Sequence, residues 1–351
     1  MKKNRTAIII VLILAVTTTV LVLKNKWSTI QPELKNFEYS DTAAVTKIHL
    51  KDKAGKDVML EKQVDGRWKV NGKFYAQTYL VRSLLGTIHD IRMRNPVGKS
   101  ARENVVKGLM TGATRIWIYT GDKLVKSYYI GSETQDSEGN YMLLVDPETE
   151  TNAKDPFVVH IPGFVGYVSG RYFTREQDWR DRTVFHYKWG DIKSVKVDYA
   201  VQKDSSFTIN VLGENNFEVV DAKGNKLAPV DTAKVKFYLG YFYDVEFEGI
   251  ENVKQKTKDS TMALGWVHSI AVTDVNGKTN VIRTYRKPPP SPDMTDAKGN
   301  PLKEDTDRMY AVMNDNDKEM VLIQYFVFGK LFMPSTHFLK KEKPVIRPGK
   351  K

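Results

Sequence analysis

Two stretches of this chain, about 150 residues apart, run through the same succession of strand, hairpin and helix patterns. That repetition restricts the fold more than any other feature. Val45 to Leu50 and Ile192 to Val197 both alternate apolar and polar residues, which predicts half-buried strands. Each is followed by a second strand, Val58 to Lys62 and Phe207 to Val211. A short third strand is then built around an aromatic, Trp68 to Val70 after Asp65-Gly66 and Phe217 to Val219 after Asn215-Asn216. A helix comes next in both halves. Thr78 to Ile91 carries Leu80, Leu84, Ile88 and Ile91 on one stripe. Its counterpart starts at Asp231 as N-cap and runs through Val235, Tyr238, Leu239, Phe242 and Val245. Strands then predominate: Arg115 to Tyr119, Lys126 to Ile130, Asn140 to Val145 and Val158 to Ile161 in the first half. The second half has Ser269 to Thr273, Asn280 to Tyr285, Arg308 to Met313 and Met320 to Gln324, its first two strands joined by the turn signal Asn276-Gly277.

The period has the size of a domain. The predicted class is α+β: two tandem related modules, 41–174 and 191–339, each an antiparallel β-sheet with one principal helix. A polar seam, 175–190, joins them. The second module carries an insertion at 287–307 whose prolines, Pro288, Pro289, Pro290, Pro292 and Pro301, predict an exposed irregular loop.

Thr6 to Leu23 contains no charged residue. As a helix these residues span about 27 Å at 1.5 Å each, close to the roughly 30 Å of a bilayer's hydrocarbon core. Lys2, Lys3 and Arg5 precede the run and Lys24 and Lys26 follow it. With the free amino terminus the upstream side is the more positive, which predicts an N-in, single-pass anchor over 6–26 in the inner (cytoplasmic) membrane. Residues 1–5 become a cytoplasmic tip, 27–40 a linker, and the body lies in the periplasm or outside. Thr17, Thr18 and Thr19 weaken the hydropathy but are expected to bond back to the preceding turn. A cleaved signal peptide is the alternative; the apolar run is long for one and no clean A-x-A site follows it.

The net charge of +12 is not a nucleic-acid signature once it is located. Five basic residues and no acid precede Trp27. Residues 340–351 carry Lys340, Lys341, Lys343, Arg347, Lys350 and Lys351 against Glu342, in a tail expected to be disordered. The body between is nearly neutral. The chain has no cysteine, which excludes disulfides, a thiol nucleophile and thiolate metal sites. The six histidines, His49, His89, His160, His186, His268 and His337, show no metal-binding spacing, and no G-x-S-x-G occurs. Gly66 to Lys73 ends in Gly-Lys but has the wrong spacer, and Phe74 stands where a magnesium-binding hydroxyl is needed. No cofactor or metal is expected.

The densest polar cluster lies in the seam: Arg175, Asp178, Trp179, Arg180, Asp181 and Arg182. Arginine forks bind carboxylate or phosphate and tryptophan anchors interfaces, so this is the candidate partner contact. The competing reading is an ion-paired connector.

The chain resembles the bacterial family known as domain of unknown function 4340. The residues that carry the resemblance are the N-terminal anchor, Asp41 to Ile48, Gly66 to Gly72, Tyr141 to Leu144, Phe157 to Gly163 and Asp178 to Arg182. The resemblance implies a neighbour of ABC-type transport systems, including auxiliary components linked to gliding motility. It supplies no catalytic residues. The expected function is therefore a non-enzymatic, membrane-anchored envelope protein that binds a protein partner. The alternatives are a cell-wall- or anionic-lipid-binding adaptor using the arginines and basic tail, and a hydrolase without a recognisable motif.

Overall fold

The computed structural model describes residues 12–19, 36–251, 254–314 and 319–340. Most of the expected anchor, the start of the linker and the tail from 341 lie outside the described residues. Residues 12–19 form helix α1 with exposed side chains. Its threonines bond back as expected: Thr18 Oγ1 donates to the Leu14 carbonyl at 2.5 Å, Thr19 Oγ1 to that of Ala15 at 2.7 Å, and Thr17 to that of Ile13. Among the described residues no helix is long and apolar enough to cross a membrane.

The remainder divides into two compact units between Asp181 and Arg182. The first contains β1 (Lys47–Lys51), β2 (Asp57–Lys62), β3 (Trp68–Val70), β4 (Phe74–Tyr75), α2 (Thr78–Asp90), β5 (Arg92–Pro96), α3 (Lys99–Gly112), β6 (Thr114–Thr120), β7 (Lys123–Glu133), β8 (Asn140–Val145), β9 (Phe157–His160) and the short α4 (Glu176–Trp179). Its nine strands form one antiparallel sheet in the order β4-β3-β2-β1-β6-β7-β8-β9-β5.

The second unit contains β10 (Thr183–Phe185), β11 (Ile192–Tyr199), β12 (Phe207–Gly213), β13 (Asn216–Asp221), α5 (Thr232–Gly240), β14 (Val245–Glu246), β15 (Gly249–Ile250), α6 (Gln255–Ala263), β16 (His268–Asp274), β17 (Thr279–Tyr285), β18 (Arg308–Met313), β19 (Val321–Gln324) and α7 (Tyr325–Phe328). Eight of its strands form a sheet in the order β13-β12-β11-β16-β17-β18-β19-β15, and β10 pairs separately with β14. Strand for strand this is the first sheet without β4. The repetition read from the sequence is a repetition of topology.

Each sheet is covered on one face by the predicted helix. Val81, Leu84 and Ile88 of α2 pack on Ile48, Leu50, Leu60, Ile116, Ile118 and Tyr128. Val235, Tyr238 and Leu239 of α5 pack on Val195, Val197, Ile209, Val219 and Ile270. The alternating strands supply one apolar face each, and the helix stripes meet them.

Three expectations are corrected. Each module has two principal helices rather than one. Leu109 of α3 packs with Ala113, Tyr129, Leu143 and Val145, whose strand neighbours Tyr128 and Leu144 belong to the α2 core, so α3 covers the opposite face. Met262 of α6 and the adjacent Trp266 pack on Tyr285, Tyr310, Val312 and Met320 in the same way. Neither α3 nor α6 advertises itself in sequence, because each presents barely a residue or two to its core. The helix begun at Asp231 stops at Gly240; Phe242 and Val245 are fully buried, but Val245 belongs to β14. The insertion, expected to be exposed, has a buried residue in Asp305. It is bonded to Lys287 Nζ at 2.8 Å, tying the two ends of the loop together.

Candidate functional site

The polar cluster around residues 175–182 turns out to be a closing strap. The chain leaves β9, turns through Ser169–Arg171 and enters α4. There the Trp179 carbonyl accepts a hydrogen bond from the Gln77 backbone N–H at 2.8 Å, at the start of α2. Asp181 N–H donates to the Tyr75 carbonyl at 2.8 Å. The second unit repeats the device. The Phe338 carbonyl accepts from Asp231 N–H at 2.8 Å, and Lys340 N–H donates to the Pro229 carbonyl at 3.0 Å. Trp179 and Phe338 thus hold equivalent places, and both are 0 % exposed.

Trp179, read from the sequence as a candidate interface anchor, is buried. Its indole N–H donates to the Phe173 carbonyl at 2.9 Å and its ring meets Phe173 edge-on at 5.6 Å. A partner cannot reach it. Arg175 forks onto Asp178 through two bonds of 2.8 Å, and that pairing raises the Arg175 pKa. The Arg180 guanidinium lies 3.5 Å over the Phe74 ring. Arg182 belongs to the second unit, where its Nη1 donates to the Glu248 carbonyl at 2.9 Å. Five of the six residues finish the first unit and the sixth starts the second.

The histidines are dispersed. His49 bonds Asp57 at 2.5 Å and stacks on Trp117, His89 pairs with Asp90, and His186 faces Asp244 at 3.7 Å. His268 stacks on Phe332 with ring centroids 4.0 Å apart, and burial lowers its pKa to about 4. Among the described residues no three His, Asp or Glu side chains are grouped to hold a metal. Gly66 to Lys73 forms β3 and the turn after it, with Gly66 and Gly72 at positive φ, and is not a phosphate loop.

A different surface stands out on the second unit. Phe237, on the solvent side of α5, is 69 % exposed and packs edge-on against Tyr241 at 5.1 Å. Lys330, just after α7, lies 5.1 Å over the Tyr241 ring, and Phe326 of α7 is 92 % exposed. Lys236 covers Trp189 at 4.9 Å. Of these rings Phe237 and Phe326 are left in water, while Tyr241 and Trp189 pack against the edge of the core; exposed aromatics of this kind are candidate interface anchors. The sequence did hold a signal for them: Phe237 falls off the stripe of Val235, Tyr238 and Leu239, an aromatic on the polar face of an amphipathic helix. The stripe accounts for the core and leaves Phe237 outside it.

With this geometry in hand, comparison with family models, with curated proteins and with solved structures finds no match to the chain.

Proposed function

We propose that this chain is a non-enzymatic, membrane-anchored envelope protein whose duplicated body binds a protein partner, as an auxiliary component of an ABC-type transport or motility assembly. The observation that carries the reading is the exposed aromatic and lysine surface of α5 and α7, centred on Phe237, Tyr241, Lys330 and Phe326. Phe237 and Phe326 add nothing to the second core, whose α5 contribution comes from Val235, Tyr238 and Leu239, with Tyr241 packed against its edge. Exposed aromatics beside a lysine-capped tyrosine offer apolar area for a partner to cover. The uncharged run with basic flanks supports the anchor, and the resemblance to the domain of unknown function 4340 family supplies the class of partner.

The experiment is a pull-down of the tagged full-length chain from detergent-solubilised membrane, beside its Phe237→Ala and Phe326→Ala variants. Transporter subunits should be recovered with the parent chain, and recovery should fall about tenfold with each variant, as expected for interface anchors of roughly 1–2 kcal/mol each. Reproducible recovery of no subunit ends the reading. Location is read separately: alkaline phosphatase fused to the C-terminus should be active, and an inactive fusion places the body in the cytosol.

A further inference from the structure

We infer that a hollow on the outer face of the second sheet is a binding site for a neutral oligosaccharide. The hollow has a volume of about 770 Å³ and is bounded by the ends of β11, β12 and β13 and by residues 264–266 after α6. It uses no residue of α5 or α7, so it stands apart from the proposed partner surface.

The duplication shows what makes this place open. In the first unit His49 of β1 pairs with Trp117 of β6, and the indole stacks on the imidazole at 4.5 Å while Arg115 covers its other side at 4.3 Å. The indole, flanked by His49 and Arg115, closes the sheet surface. The same register in the second unit pairs Lys196 with Ala271. A methyl group replaces the indole beside Lys196, which lines the hollow. An aromatic returns from another direction: Trp266 lines the hollow from its side, at the position equivalent to Gly112. Its other flank packs with Met262 and Leu322 on Tyr285, Tyr310, Val312 and Met320, which fixes the indole in place without covering it.

The polar groups decide the ligand class. Lys196 and Asp198 form an ion pair at 3.0 Å within the lining, and Lys203 and Asp221 add one charge of each sign. Asp221 accepts from the backbone N–H groups of Lys223 and Asn225, and these bonds keep it ionised below the usual carboxylate range. Ser206 and Thr208 contribute hydroxyls. A phosphate or polyanion entering here meets two carboxylates, and a polycation meets two ammonium groups. A neutral polyol meets partners only, because each hydroxyl both donates and accepts. The apolar face of a pyranose ring packs on an indole, while its hydroxyl rim reaches the charges. The volume lies in the upper part of the roughly 300–1,000 Å³ range of ligand pockets, which suits more than one sugar ring.

The test is isothermal titration of the full-length chain, held in a sugar-free detergent, with maltotriose, cellotriose and chitotriose to about 10 mM, and with sodium phosphate. At least one trisaccharide should bind saturably with a Kd between about 10 μM and 1 mM. Trp266→Ala should weaken that binding at least tenfold. Ala222→Trp should do the same from an exposed rim position, which keeps the result readable if the first variant folds poorly. Phe237→Ala should leave it unchanged. Absence of heat with all three sugars, or affinities untouched in both pocket variants, overturns the assignment. Binding of phosphate without any sugar also overturns it, in favour of an anion site.

Discussion

His268 lies in β16 between the Phe332 ring at 4.0 Å and Tyr199 edge-on at 5.3 Å, with its Nδ1 3.0 Å from the Thr284 hydroxyl. Burial, with Arg286 nearby, lowers its pKa from 6.5 to about 4. The unfolded chain then binds a proton that the folded chain refuses between these values. Stability from this residue is fully present above pH 6.5 and is lost as the pH falls toward 4. The full shift corresponds to about 3 kcal/mol; the ring is partly open to solvent, so about 1–2 kcal/mol is the expected loss. Urea denaturation at pH 7 and pH 4.5 should show it, and His268→Gln should flatten that part of the pH dependence. Asp305 is the opposite case. Burial raises its pKa, but Lys287 and the backbone N–H groups of Asp307 and Arg308 outweigh burial and hold it below the ordinary carboxylate value. Asp305→Ala leaves Lys287 without its carboxylate partner and should cost about 2–3 kcal/mol in chemical denaturation. The sequence shows neither effect, because the partners lie 18 and 64 positions away and nothing local marks either residue as buried.

At the scale of elements, the two principal helices start differently for a reason that can be tested. Asp231 caps α5, its carboxylate accepting from Ala233 N–H at 3.1 Å and Lys234 N–H at 3.2 Å. Gln77 makes no such side-chain bond at the start of α2. Asp231→Ala should therefore cost about 1 kcal/mol, read as a lowered denaturation midpoint. The β8–β9 junction is tighter. A Cβ on Gly139 would sit 2.7 Å from the Val159 carbonyl oxygen and 3.0 Å from Val158 Cγ1. Backbone blocks one side, so Gly139→Ala should destabilise by about 1–3 kcal/mol, whereas alanine at the open Gly86 of α2 should be tolerated. Elements with strong periodicity were legible. Trp68–Val70, Asn140–Val145 and Arg308–Met313 form as read, and the Asp231 cap is in place. The β4, β5, β14 and β15 strands and the helices α3 and α6 were not. The strands are two to five residues long or sit at an edge, and the helices pack through too few apolar groups to leave a period.

For the molecule as a whole, each unit closes on itself. A strap ending in a buried aromatic, Trp179 or Phe338, returns to the start of its own helix, and each unit has its own core. Fragments 36–181 and 182–340 should each unfold cooperatively in calorimetry. A fragment 36–174, cut just before α4, loses Trp179 and should lose about 3–5 kcal/mol or fail to fold. The candidate contact at 175–182 was legible as a cluster but not as a structure, because burial of an indole depends on what returns to meet it.

Composition and periodicity by themselves determined the α+β class, the duplication and the helix that covers the core of each sheet, since alternation and helical stripes are local consequences of where apolar side chains fall. Only the tertiary structure decided that both sheets are covered on two faces, that Trp179 is core while Phe237 is surface, and that Lys196 borders an open hollow where His49 lies under an indole. Those outcomes turn on strand register and on distant segments brought together, and no window of sequence contains both partners.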